Sequence, residues 1–184
     1  MLTIYVCPRE IPITTVDGFH MSVKMVQVYG EDGFISLQDW EPSSDLEDVE
    51  IVLAKRFFCW KFQLPTDLKE AMLDFLRHYH TKQNLEFDCY AFVNLVKGVE
   101  VHKVPYTLKY WDTKPLPWRL SMGSVVFFQS GESHFHHAAV YIGFGLYVSV
   151  WGAGGDLEVA TLRSMKRGFC AQRVVLAQPK KGLA

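Results

Sequence analysis

A chain of 184 residues, 49% of them hydrophobic and 14% aromatic, is long enough and apolar enough to bury one good-sized core, which argues against a mainly disordered protein. Its 19 basic and 20 acidic residues nearly cancel, so no overall field attracts nucleic acid or an anionic membrane. We therefore predict a globular protein with neither nucleic acid nor a membrane as a partner.

The first 50 residues predict β structure ahead of the main domain. LTIYVC (2–7) is strand-like, MSVKMVQVY (21–29) alternates in part, and turn signals occur at residues 17–18 and 31–33. We expect three or four short strands there, either as a small subdomain or as extra strands on the main sheet. Residues 40–50 are acidic and suit a linker. We thus divide the chain into an N-terminal β extension (1–50) and a main domain (51–184).

The N-terminus also bears on location. It lacks the charged start, long apolar run and small-residue cleavage site of a signal peptide, and no apolar run approaches the roughly 20 residues needed to cross a bilayer. We expect the protein in the cytoplasm, or secreted by a route that needs no signal peptide.

A first helix is predicted from Pro65 and Thr66 to about His80. Its apolar stripe has helical spacing and comprises Leu68, Met72, Phe75, Leu76 and Tyr79. A strand-like segment (51–64) precedes this helix, and a polar connector (81–86) follows it. The helical pattern here is clear.

A second helix is predicted in FDCYAFVNLV (87–96), with Asp88 as its N-cap and Lys97 and Gly98 at its end. Cys89 falls in its first turn, where unpaired N–H groups and the positive end of the helix dipole favour a thiolate. Cys89 is therefore a candidate nucleophile. The alternative interpretation is a small buried side chain near a helix end.

The remaining cysteines and histidines give no metal or redox pattern. The four cysteines are widely separated without a CxxC pair, which favours free thiols. His134 and His136 share one face of an extended strand, but no further ligand completes a set unless Glu132 contributes. We predict no metal and no cofactor.

Residues 99–120 hold three prolines and several large aromatics without periodicity, which predicts an irregular loop across the domain. Tyr106, Tyr110, Trp111 and Trp118 could line a cleft or anchor this loop to the core.

From Gly123 the chain reads GSVVFFQSGESHFHHAAVYIGFGLYVSVWG, which predicts two or three strands joined by short turns. His137 starts the second strand with a parity that we expect to face the Cys89 helix while His136 turns away. Ser149 and Trp151 share a face of the next strand, so Ser149 can reach the imidazole and Trp151 can border a cleft. Two more strands are predicted in LEVATL (157–162) and FCAQRVVLA (169–177).

In order and spacing, these segments resemble the motifs of NlpC-type cysteine peptidases of the papain-like superfamily. FDCYAFVNLV resembles their Cys motif, GSVVFF their Gly-Asp strand, and HAAVYIGFGLYVSV their His strand with its third polar residue. The resemblance covers residues 87–162. It implies an α+β, papain-like NlpC-type fold in which the Cys helix packs on an antiparallel sheet.

The resemblance assigns roles to individual residues. Cys89 corresponds to the nucleophile and His137 to the general base. Ser149 takes the third catalytic position, where the family usually has His, Asn or Gln. Tyr90 stands in a pair that is usually small. With Asp88 and Trp151, it is our candidate for substrate contacts.

The function implied is that of a cysteine hydrolase that cleaves amide or peptide bonds, with a peptide or muropeptide of peptidoglycan as substrate. Two alternatives stay open. One is a thiol acyltransferase or deamidase acting on a non-wall substrate. The other is a binding module with weak or lost catalysis, for which the serine at the third catalytic position is the main argument.

Overall fold

The computed structural model describes residues 2–7, 26–27, 34–36, 49–55, 58–78, 87–99, 107–131 and 134–180, and side chains within 63–78, 87–99, 109–131 and 134–180. Eleven strands and three α-helices lie within those residues. The strands are β1 (Leu2–Cys7), β2 (Val26–Gln27), β3 (Phe34–Ser36), β4 (Val49–Lys55), β5 (Phe58–Phe62), β6 (Trp111–Pro115), β7 (Val125–Ser130), β8 (His134–Gly143), β9 (Leu146–Val150), β10 (Leu157–Thr161) and β11 (Arg173–Pro179). The helices are α1 (Thr66–His78), α2 (Cys89–Val96) and α3 (Leu162–Gly168).

The larger sheet has seven strands in the order β3-β10-β9-β8-β7-β11-β6, and all its pairings are antiparallel. Consecutive strands β7, β8, β9 and β10 are neighbours joined by short connections, as expected for an antiparallel meander. This sheet and its helices confirm the predicted α+β class.

A smaller mixed sheet has the order β2-β1-β4-β5. β1 is parallel to β2 and β4, and β4 is antiparallel to β5. Of the three or four strands expected before residue 37, three lie within the described residues, with β3 on the edge of the larger sheet and β1 and β2 in the smaller one. Because β1 pairs with β4, this sheet joins segments on both sides of residue 50, and a separate unit at 1–50 stays a prediction.

α1 and α2 begin and end close to where local signals place them. α1 buries the predicted stripe of Leu68, Met72, Phe75 and Leu76, and it ends at His78. Tyr79 and His80 lie outside the described residues. α3 is not predicted, because LRSMKRG carries almost no apolar stripe. No helix in the described part of the chain is long and apolar enough to span a membrane.

The expectation of an irregular loop over residues 99–120 is wrong for part of that segment. Thr107–Tyr110 form a 3-10 turn, and β6 follows it as an edge strand paired with β11. Trp111 is buried, and its indole N–H donates to the Asn94 side-chain oxygen at 2.9 Å. Trp111 thus belongs to the core, whereas Trp118 is exposed; Tyr106 lies outside the described residues.

Two apolar layers cover the two faces of the larger sheet. The face that packs with α1 and α2, here called the α2 face, carries Val125, Phe127, Ala138, Val140, Ile142, Val148 and Val150. The opposite face, here called the α3 face, carries Val126, Phe128, Ala139, Tyr147 and Ala160 together with Met165 of α3. Neighbouring residues of one strand therefore point into different layers, as the two-residue period of a strand requires.

Candidate active site

The start of α2 has the cap that the sequence predicts. Asp88 has extended backbone dihedrals (φ −124°, ψ −171°), and its carboxylate accepts from the N–H groups of Tyr90 at 2.8 Å and Ala91 at 2.9 Å. Burial raises the pKa of Asp88, while these two hydrogen bonds oppose the rise. The helix ends at a Lys97 cap followed by Gly98 in the left-handed region (φ +61°), which also confirms the predicted stop.

Cys89 is the first residue of α2 and points into the α2 face. Its relative exposure is 4%, and it packs in the same cluster as Phe92, Ala138 and Val140. α2 contacts β8 and β9 along this face. The thiol therefore lies between the helix start and the middle strand of the sheet.

The environment of the Cys89 thiol raises its pKa. Loss of solvent is the largest cause, and the negative charge of Asp88 adds to it. Backbone N–H groups of Ala138, Cys89 and Tyr90 act in the opposite direction, as the helix-start argument anticipates. The prediction that the helix start favours the thiolate is wrong for the net effect, because desolvation outweighs the backbone groups.

His137 lies on the α3 face, away from Cys89. Its ring stacks on Phe169 with centroids 3.7 Å apart and planes at 14°, and the rings of Trp151 and Phe128 are each 5.6 Å away. Its neighbour Ala138 faces α2 instead. The prediction that His137 faces the Cys helix is therefore wrong.

A bulge in β8 lies directly before His137, and from His137 onward the strand alternates regularly. Phe128 pairs with His137, but Gln129 pairs with Phe135, so His136 is an extra residue in the ladder. Phe135 and Ala138 both pack on the α2 face although they are three positions apart. The parity that His137 shares with Ala139 and Tyr141 is as expected, but that side of the strand packs on the α3 face and not on the Cys89 helix. The side chain of His136 bonds the Ser130 hydroxyl.

Burial keeps the His137 imidazole neutral. Desolvation lowers its pKa to about 3, and neither ring nitrogen has a hydrogen-bond partner within the described residues. In this arrangement the ring neither receives a proton from Cys89 nor is oriented by a third residue.

Ser149 shares the α3 face with Tyr147 and Trp151, as its parity predicts, but its hydroxyl is bonded elsewhere. The buried Oγ donates to the carbonyl oxygen of Ala138 at 2.5 Å, with the Val150 carbonyl at 3.3 Å. The structure thus brings Ser149 and His137 to the same face without a hydrogen bond between them.

The three residues expected to contact substrate divide between the two faces. Asp88 caps α2. Tyr90 is half-buried against the edge of Phe127, with ring centroids 5.6 Å apart, and its hydroxyl has no hydrogen-bond partner in the described part of the chain. Trp151 lies 4.3 Å from Phe169 and so borders His137 and not Cys89.

Sequence reasoning missed Phe169. It falls in a segment predicted as the last strand, but it forms a turn after α3, and β11 begins only at Arg173. A lone aromatic next to Gly168 gives no local signal of the stacking. Gly168 itself is informative in the structure, because a Cβ there would lie 2.8 Å from the Trp151 ring.

Comparison with known proteins gives one family match. The model of the NlpC/P60 family matches residues 77–178, which is more than half of the chain and includes Cys89, His137 and Ser149. No curated protein matches the chain.

Proposed function

The chain belongs to the NlpC/P60 family, whose members are generally cysteine peptidases or amidases of peptidoglycan, and we propose that this protein hydrolyses amide bonds in peptidoglycan peptides with Cys89 as nucleophile. A papain-like packing of the Cys helix on the sheet is part of the proposal.

The position of the Cys89 sulfur carries the proposal. The thiol is the first residue of a capped helix, and backbone N–H groups of Ala138, Cys89 and Tyr90 act on it so as to favour negative charge. The Tyr90 N–H already donates to Asp88, so an oxyanion beside the sulfur would rely on the Cys89 N–H at the helix start.

In the proposed reaction, His137 accepts the thiol proton and the Cys89 sulfur attacks the amide carbonyl carbon. The tetrahedral intermediate collapses as His137 gives that proton to the leaving amine, which yields a thioester. Water, deprotonated by His137, then attacks the thioester and releases the acid and the free thiol. The scheme requires the imidazole on the α2 face.

The test is digestion of purified peptidoglycan and of soluble muropeptides, with products identified by mass. Wild-type protein is expected to cut an amide bond, and Cys89→Ala to leave it intact. Cys170→Ala is a matched control, since Cys170 is an exposed free thiol and should be dispensable. Cleavage by Cys89→Ala at the wild-type rate would overturn the proposal, and the masses identify the bond.

A second function is favoured by two specific observations. His137 faces away from Cys89 and has no hydrogen-bond partner among the described residues, and the Ser149 hydroxyl is bonded to a backbone carbonyl. Both suit a binding module that kept the fold and lost catalysis. Such a module would co-sediment with insoluble peptidoglycan equally well as wild type and Cys89→Ala, without releasing fragments. Hydrolysis or acyl transfer on a non-wall amide, with the wall untouched, would instead favour the other thiol chemistries.

A further inference from the structure

We propose that Phe169 is a positioning residue that, together with Ser149, holds His137 on the α3 face. When the extra residue of the β8 bulge moves from His136 to Ala138, the imidazole comes to lie beside Cys89. The inference rests on the proposed function, in which His137 is the base. It assigns a role to a residue that the sequence motifs do not include.

The pairing of β7 with β8 shows how small this change is. Phe127 faces α2 and pairs with Ala138, whereas Phe128 faces α3 and pairs with His137. If Phe127 paired with His137, the imidazole would take the α2 face, because directly opposed residues of a sheet lie on one face. In the ladder between β7 and β8, only the partners of Phe127 and Phe128 change.

The flanking pairs define the limits of the movement. Val126 with Ala139 and Gln129 with Phe135 would stay as they are, so the rest of both strands keeps its register. The moving segment is thus His136–His137–Ala138. The backbone of Ala138 already adjoins the Cys89 sulfur, so an imidazole brought to this face would arrive next to the thiol.

Contacts on the α3 face hold the present arrangement. Phe169 stacks on the His137 ring at 3.7 Å, and Trp151 packs on both rings. The Ser149 hydroxyl donates to the Ala138 carbonyl at 2.5 Å, a bond that would be disrupted if Ala138 became the extra residue. Aromatic pairs and buried hydrogen bonds of this kind are the contacts that fix a strand register.

One feature of the present arrangement opposes these contacts. Both nitrogens of the fully buried His137 ring lack a hydrogen-bond partner in the described residues, and buried polar atoms without partners destabilise the folded state. Release of the ring towards the thiol would relieve that cost. Contributions that oppose one another within one segment are what a change between two arrangements requires.

The experiment measures the rate of Cys89 alkylation at a fixed pH of about 8, with the modification quantified at that residue by peptide mass mapping. Phe169→Ala removes the stack and is expected to raise the rate about fivefold, a change of the size that one aromatic pair contributes. In Phe169→Ala combined with His137→Ala, the rise should disappear, because the imidazole is what activates the thiol. A mere loosening of the fold would raise the rate in both backgrounds.

Two further variants keep the test decisive. Phe169→Leu retains most of the side-chain volume, so it serves if Phe169→Ala does not fold, and a smaller rise in the same direction is expected. Phe144→Leu, at the exposed tip of the β8–β9 turn, is the matched control and should react like wild type. An unchanged rate in the folded Phe169 variants, or a rise that persists without His137, would overturn the inference. Because alkylation needs no substrate, absence of hydrolysis alone would count only against the proposed function.

Discussion

The Cys89 thiol and the His137 imidazole lie on opposite faces of the larger sheet, with the backbone of β8 between them. Cys89 adjoins Ala138 on the α2 face, whereas the next residue back, His137, stacks on Phe169 on the α3 face. Cys89 and His137, which we propose as nucleophile and base, are thus separated by the sheet. Burial raises the pKa of the Cys89 thiol and lowers that of the His137 imidazole.

Alkylation of Cys89 should be slow at neutral pH. Burial and the Asp88 charge raise the pKa of its thiol, so the thiolate fraction is small, and the rate should keep rising above about pH 8.5, where an ordinary thiol levels off. Cys170 is exposed and provides an internal comparison in the same protein. Peptide mass mapping across pH 6–10 measures both. A Cys89 that reacts as a thiolate below pH 7 would contradict this account.

His137 should make the protein less stable in acid. Its pKa is about 3 in the folded state, against about 6.5 in an unfolded chain. Between these values the unfolded state binds the proton and the folded state does not. The free energy of unfolding should therefore be unaffected by His137 above about pH 6.5. Below that pH it should decrease by up to about 1.4 kcal/mol per pH unit.

Urea denaturation between about pH 4 and 7 measures this slope. His137→Phe keeps an aromatic ring against Phe169 and should remove most of the slope. His134→Phe, at an exposed position of the same strand, is the matched control for introducing a phenylalanine there. An equal slope in His137→Phe and wild type would show that His137 binds its proton equally well in the folded and the unfolded state, which would contradict this account.

Asp88 combines two effects that substitution can separate. Asp88→Ala removes the cap on the Tyr90 and Ala91 N–H groups and should lower stability by about 1 kcal/mol. Asp88→Asn retains an oxygen acceptor, so its free energy of unfolding should stay within about 0.5 kcal/mol of the wild-type value. Because it also removes the charge that raises the Cys89 pKa, Asp88→Asn should speed alkylation of Cys89. Thermal melts and alkylation rates measure the two effects. Equal destabilisation by both variants would be inconsistent with capping.

The bond between Trp111 and Asn94 should couple β6 to α2. Asn94→Ala leaves the buried indole N–H without its acceptor and should cost about 2 kcal/mol. Trp111→Phe removes the donor, and a double-mutant cycle by urea denaturation should give a coupling energy of about 1 kcal/mol. Additive single effects would show that the hydrogen bond contributes nothing to stability.

Local signals in the sequence predict much of the fold. Asp88, the apolar body of α2 and Gly98 bound that helix, and the helical spacing of Leu68 to Leu76 gives α1, because caps and periodicity act within one or two turns. Strands β7, β8 and β9 follow from their apolar runs and short turns. Cys89 at a helix start is likewise a local property.

Features that depend on distant partners could not be predicted in this way. β6 exists because it pairs with β11, at least 60 positions away, and its own sequence contains a proline. The layer that His137 joins depends on which helix covers each side of β8 and on Phe169 beyond α3. Alternation correctly predicts the face on which Ser149 lies, but not the hydrogen bond of its hydroxyl, which depends on the position of the Ala138 carbonyl. Alternation alone contains no information on where a strand carries an extra residue.

The most direct test of the central claim is to trap the acyl-enzyme. Excess protein is mixed with a soluble muropeptide, quenched in acid after successive short times, and digested for peptide mass mapping. We expect a transient mass increase at Cys89 equal to the acyl fragment, a much slower increase in His137→Ala, and neither adduct nor cleavage in Cys89→Ala. Cleavage that proceeds in Cys89→Ala, or an adduct located on another residue, would contradict the assignment of Cys89 as the nucleophile.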